Sequence, residues 1–124
     1  MIWNILLVVL AGGIGSAARY LFSIWAAKWL GTGFAWGTLG VNLIGCLLIG
    51  FVYSLAEKSV ISPSVRLCVM TGFVGGLTTF STFALESANY FRNGELLLGL
   101  ANLAANDLGG LLLVVIGIWL GRLI

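Results

Sequence analysis

Charge is what this sequence has least of. Its 124 residues include six basic and four acidic side chains, 8% in all, and no histidine. A soluble domain carries about a quarter of its residues charged. Here 60% are hydrophobic and the mean hydropathy is +1.13. That excludes an ordinary soluble domain and indicates an integral membrane protein, with lipid as its surroundings. The net charge of +2 is too small to attract nucleic acid, so no nucleic-acid partner is expected. No nucleophile–base–acid set is present, and an enzyme is not expected. Carboxylates at cation-coordinating spacing are absent too. Cys46 and Cys68 stand in apolar stretches and read as small core residues rather than a disulfide or a metal site. The first basic residue, Arg19, follows the first apolar run, which therefore reads as a retained transmembrane helix and not a signal peptide.

Crossing a bilayer takes about 20 mostly apolar residues in a helix. Four segments qualify, at residues 3–30, 34–56, 63–91 and 96–123. The expected fold is an all-α membrane protein with four transmembrane helices, one domain over residues 1–124. Gly31-Thr32-Gly33 is a short turn, and residues 57–62 make the most polar connection. Ser62 is placed to cap the third helix, with the single proline, Pro63, at its first position, where a missing N–H costs nothing. Asn93-Gly94 ends that helix, and Glu95 opens the next, where a negative charge suits a helix N-terminus. The pairs Gly12/Ser16, Gly72/Gly76 and Gly117/Gly121 have the small-xxx-small spacing that lets helices approach closely in lipid. Four short helices enclose little space, so a conducting path calls for a second subunit.

Four spans put both termini on one side, with Lys58, Arg66 and Arg122, and leave Arg19, Lys28 and Arg92 on the other. A Lys/Arg bias is what orients a membrane protein. Its absence predicts insertion both ways round, which permits an antiparallel, dual-topology homodimer.

The polar residues concentrate in Gly72–Glu86, GFVGGLTTFSTFALE. Gly75-Gly76 is a weak point for a helix, and a break is expected near residues 75–79. Thr78, Thr79, Ser81 and Thr82 can satisfy freed backbone groups or donate to a ligand. Phe80 and Phe83 share a helix face. Such phenylalanines are usually core, but the edge of a phenyl ring is its positive side, and a desolvated anion can sit against it. Polar groups within spans are candidates by default. Arg19 either snorkels to the interface or draws anions into a vestibule. Asn42 donates twice, to an anion or to a neighbouring helix, and Thr38 lies one turn earlier on its face. Asn102 and Asn106 share a face of the fourth helix. Glu86 and Asp107 are each a proton site, a partner for a base such as Arg19, or a protonated and hydrogen-bonded acid. The residues alone leave these choices open.

Three runs go further: GGIGSAAR at Gly12–Arg19, GTLGVN at Gly37–Asn42, and GGLTTFSTF at Gly75–Phe83 followed by Glu86. With them the whole chain resembles the Fluc (CrcB) family of fluoride channels. The resemblance implies passive, electrogenic export of fluoride across a bacterial inner membrane, protecting the cell from fluoride. It implies an antiparallel homodimer with two pores and a central structural sodium ion. Phe80 and Phe83 match the pore phenylalanines, Asn42 the pore asparagine, and Ser81, Thr82 and Thr38 hydroxyl positions near the pathway. Gly75 and Thr78 match the positions whose carbonyls hold the sodium. Arg19 matches the vestibule arginine and Glu86 an acidic position of the same motif. Asn102 and Asn106 are the candidates for the fourth helix's polar track. Asp107 matches no family position and is expected to point elsewhere or to be neutralised.

Other readings explain less. Four-helix, dual-topology drug exporters carry a carboxylate in the middle of the first helix, and this first helix has none. A proton-coupled fluoride or cation carrier would use Glu86 or Asp107. A non-transporting assembly subunit accounts for the glycines but gives no reason for the polar, broken third helix.

Overall fold

The computed structural model describes residues 1–124, and its regular structure is entirely helical. We number the helices α1 (Ile2–Leu30), α2 (Trp36–Glu57), α3 (residues 63–77), α4 (Phe80–Arg92) and α5 (Leu96–Arg122). Helices α3 and α4 together form the third of four spans long and apolar enough to cross a membrane; the protein is a multi-pass membrane protein. At 1.5 Å per residue α1 is about 43 Å long, against about 30 Å of hydrocarbon. Its ends therefore reach the headgroups. Trp25, Trp29 and Trp36 gather at one end of the bundle and Trp3 and Trp119 at the other, as interfacial tryptophans do.

The connections follow the sequence signals. Gly31 and Gly94 hold positive φ, 82° and 75°, which glycine adopts without a steric penalty. The Ser62 hydroxyl accepts from the Val65 N–H at 3.3 Å, with Pro63 behind it. Helix α2 starts at Trp36 and not at Phe34, because Phe34 stays in the turn, stacked on Tyr90 with ring centroids 6.0 Å apart. Lys58 donates to the Arg122 carbonyl at 2.7 Å, so these two bases share one end. Arg19 lies three residues past the midpoint of α1, within the span and not in a connection.

Glycines set the packing. Helix α1 lies on α3, α2 on α5, and α4 on α5. A Cβ built on Gly76 would collide with the Gly12 carbonyl, one on Gly15 with the Phe73 carbonyl, and one on Gly72 with the Ala11 methyl. Between α2 and α5, a Cβ on Gly50 would meet the Val114 carbonyl, and one on Gly117 the Leu47 carbonyl. Backbone thus touches backbone in both pairs, the arrangement small residues allow in lipid. Gly75 differs, since its Cβ would meet only the Met70 carbonyl, at 3.8 Å; packing does not explain that glycine.

The third span departs from a simple broken helix. It runs as α-helix over Pro63–Arg66, as π-helix over Leu67–Val74 and again as α-helix over Gly75–Leu77. Thr78 (φ −83°, ψ 157°) and Thr79 (φ −149°, ψ 113°) are then extended before α4 begins. The break falls within the expected window. The π-helical stretch has no sequence signature; such turns recur next to functional irregularities.

Replacing Gly117 by Val should destabilise the protein by about 1–3 kcal/mol or more, the usual cost of overpacking. Gly13→Ala, which meets nothing within 4 Å, should be neutral or stabilise by up to about 1 kcal/mol. Thermal unfolding in detergent checks both, and equal midpoints for the two variants would refute the packing argument.

Candidate functional site

Asn42 pairs with the break as a strand would. Its Oδ1 accepts the Thr79 N–H at 2.8 Å and its Nδ2 donates to the Thr79 carbonyl at 3.2 Å. One primary amide thereby satisfies both backbone groups of an extended residue inside a span, where unsatisfied groups cost several kcal/mol. The second Nδ2 hydrogen goes to Asn106 Oδ1 at 2.9 Å. Asn106 in turn donates to the Asn102 carbonyl and side-chain oxygen at 2.9 and 3.1 Å. Asn102 donates to the Ser87 hydroxyl at 2.9 Å, and Ser87 donates to the Phe83 carbonyl at 2.9 Å. This relay ties α2, α4 and α5 together, and Asn102 is completely buried.

The same bonds release two carbonyls. In a continuous helix the Thr79 N–H would serve the Gly75 carbonyl, but it serves Asn42. The Thr82 N–H would serve the Thr78 carbonyl, but it caps onto the Thr79 hydroxyl at 3.3 Å. Gly75 and Thr78 thus lose their ordinary helical donors, and with residues 78 and 79 extended so do Leu77 and Gly76, whose carbonyl accepts the Ser16 hydroxyl at 3.4 Å instead.

One cleft borders the break, and a second lies farther along α4. The first, of about 240 Å³, is lined by Asn42, Cys46, Thr78, Thr79, Phe80, Phe83, Asn106 and Asp107 with apolar residues of α2 and α3. Its two rings are not equivalent. Phe83 is 4% exposed and Phe80 77% exposed, in an edge contact with centroids 5.6 Å apart. The second cleft, of about 340 Å³, lies by the α1–α2 turn and is lined by Ser23, Thr38, Thr82 and Glu86 among others. There the Thr38 hydroxyl donates to Glu86 Oε1 at 2.6 Å, and Oε2 is buried without a partner.

Of the expected site residues, Asn42, Thr78, Phe80, Phe83 and Asn106 therefore meet in the first cleft, and Thr38, Thr82 and Glu86 in the second. Asn102 is behind the first, reached through hydrogen bonds. Ser81 is exposed, 3.5 Å from the Thr79 hydroxyl. Gly75 is exposed at the break, and Arg19 is half-buried away from both clefts. Asp107, expected to point elsewhere or to be neutralised, is exposed and lines the first cleft. Its one-residue offset from Asn106 turns it about 100° round the helix, which still leaves it at the cleft wall. Thr79 and Ser87 carry more of the structure than their sequence context advertised. Ser87 stands four residues after Phe83, and that face-sharing was the available signal.

Known proteins resemble the chain throughout. The profile of the family described as CrcB-like protein, Camphor Resistance (CrcB), matches residues 6–118. The chain belongs to the CrcB family. Members similar to it include a fluoride-specific ion channel FluC of Clostridium perfringens, 45% identical over 120 residues, covering 96% of this chain and 94% of the relative. Another, of Chloroflexus aurantiacus, is 42% identical over 120 residues, covering 96% and 95%. A third, of Chlorobium phaeobacteroides, is 43% identical over 120 residues, covering 95% and 93%. As a CrcB-family member, the chain is not an enzyme.

Asn42→Ala should cost about 2–4 kcal/mol, because a buried N–H and a buried carbonyl lose their partner. Asn42→Asp, which keeps the acceptor for Thr79, should fall between. Thermal unfolding in detergent reads this; wild-type stability of Asn42→Ala would show that the break holds without the amide.

Proposed function

We propose that this CrcB-family protein is a passive, electrogenic fluoride channel of a bacterial inner membrane, working as an antiparallel homodimer with two pores. The observation that carries the reading is 45% identity over nearly the whole chain to a channel named for fluoride. The site chemistry supports it. Fluoride is small and strongly hydrated, so a path must offer close replacements for water without holding the ion. Hydroxyl groups and a phenyl edge meet that compromise between entry and release. Phe80, at the open side of the first cleft, and Phe83 behind it would present the ring edges. Thr38, Thr82, Ser81 and Glu86 would serve the approach by the second cleft, with Arg19 drawing anions inward.

A dimer is supported by the open cleft and by Asp107. A charged side chain at the bilayer centre costs about 2.5–3.5 kcal/mol even on insertion scales. Asp107 is exposed near the middle of α5, so its face is better covered by protein or water than by lipid. With Arg19 inside its span, three bases at one end, Lys58 and Arg122 among them, face Lys28 and Arg92 at the other, and so small a bias favours two opposed orientations.

The break also fits a sodium ion. Gly75 and Thr78 each present a carbonyl without its helical donor, and an inverted second copy would supply the same pair. Such an all-carbonyl set suits a monovalent cation at a broken helix. The ion would supply a positive centre joining the two breaks, with no part in the path itself.

Proteoliposomes loaded with potassium fluoride test the reading. Fluoride efflux should wait for valinomycin, and chloride should not replace fluoride. Efflux without the ionophore, accompanied by a change in luminal pH, would instead establish proton-coupled exchange. Phe80→Ile or Phe83→Ile should slow efflux roughly tenfold, equivalent to an aromatic contribution of about 1.4 kcal/mol. Unchanged efflux in both would remove the rings from the path. Extra lysines at one end only should abolish activity if opposed copies must pair; full activity from a uniformly oriented population would rule that pairing out.

A further inference from the structure

A count of donors in the first cleft gives an unexpected result. Both Asn42 N–H groups are engaged, by the Thr79 carbonyl and by Asn106. Both Asn106 N–H groups are engaged by Asn102. The Thr78 hydroxyl donates to the Val74 carbonyl at 3.0 Å, and the Thr79 hydroxyl to Thr82 at 2.9 Å. Of the side-chain donors lining the cleft, only the weak S–H of Cys46 is left over. The remaining polar group is the carboxylate of Asp107, the one charged side chain lining the cleft. No charged or titratable group faces it there from α2, α3 or α4 except the Cys46 thiol. What draws an anion in is the backbone: α4 begins at Phe80, so the positive end of a helix opens at this cleft.

We infer that Asp107 is an affinity- and rate-setting charge of the cleft, a fixed carboxylate that shares the positive end of α4 with the mobile anion and opposes its occupancy. The inference rests on the reading of the cleft as an anion path. With the cleft empty, Asp107 offsets the positive potential at Phe80. With an anion inside, it is a like charge on the wall of the same cleft, which raises the energy of the occupied state and speeds release. A conducting site needs that: binding strong enough to enter and weak enough to leave. The carboxylate also explains why the donors can stay committed to structure, since the site is tuned by charge and not by free donors.

Fluoride currents across planar bilayers, recorded against fluoride concentration at low ionic strength, test this. Neutral hydrogen fluoride carries no current and does not interfere. Asp107→Asn should lower the half-saturating fluoride concentration by about tenfold, the effect of one like charge at about 12 Å with an effective dielectric constant of about 20. Asp107→Glu, which keeps the charge, should saturate near wild type. Added sodium gluconate should narrow the gap between wild type and Asp107→Asn by screening; a purely structural role for Asp107 gives no such dependence. If wild type conducts and Asp107→Asn saturates at the same concentration, the inference fails while the fluoride reading stands. If wild type carries no fluoride current, that reading fails first and takes the inference with it. Should Asp107→Asn not assemble, Asp107→Ser reads the same loss of charge. Should neither assemble, half-saturation of wild type must itself fall as gluconate is added, and a constant value overturns the inference.

Discussion

One side-chain amide carries the irregular part of this protein. Within a bilayer, backbone leaves the helix only where something other than water satisfies it. Asn42 does so for Thr79, taking both the N–H and the carbonyl. The Thr79 hydroxyl then caps α4 through the Thr82 N–H. Remove the first pairing and the extended residue has no reason to stay extended, because a continuous helix would satisfy the same groups. The broken third span is therefore a tertiary property, set by α2, and only permitted by the glycines that precede it.

The glycine contacts explain how α2 can be relied on for this. Gly50 and Gly117 bring the α2 and α5 backbones into contact, so the two helices form one tightly packed unit. Along that unit Asn42 and Asn106 face each other at hydrogen-bond distance. The pairing of α1 with α3 through Gly12, Gly15 and Gly76 fixes the incoming half of the third span in the same way. Close packing of small residues makes the scaffold, and the amide relay spans the seam between its two halves. Neither works alone: a primary amide reaches only a few ångströms, and helices held apart by larger side chains would put Thr79 out of its range.

Periodicity and punctuation made the helices legible in the sequence. Four apolar runs, Ser62-Pro63, Gly31 and Asn93-Gly94 marked every span and turn to within a residue or two. The break was legible as a window, from Gly75-Gly76 and the hydroxyl cluster. Its mechanism was not, since the pairing of Asn42 with Thr79 joins residues 37 positions apart and no local rule connects them. The π-helical stretch over Leu67–Val74 was equally silent, because its composition is that of any apolar helix. The place of Asp107 was open for a related reason. Its chemistry left it either turned away from an anion path or neutralised, and only its helical phase in the folded chain, beside Asn106, puts it on the cleft wall.

The two clefts differ in a way that bears on direction of travel. The second has hydroxyls from Ser23, Thr38 and Thr82 around Glu86, and one carboxylate oxygen there has no donor. The first has its side-chain donors committed and its charge at Asp107. An anion moving from one to the other past Phe83 would leave a region where hydroxyls can reorient for one where the fixed groups cannot. Rotation of the Ser23 or Thr82 hydroxyl, neither of which donates to a protein group, costs little, whereas withdrawal of an Asn42 hydrogen from Thr79 or Asn106 leaves a buried acceptor unpaired, at about 1–3 kcal/mol. On the fluoride reading, then, exchange of water for protein donors belongs to the second cleft. The first contributes the field of a helix end, two ring edges and one opposing charge, none of which requires the structural amides to let go.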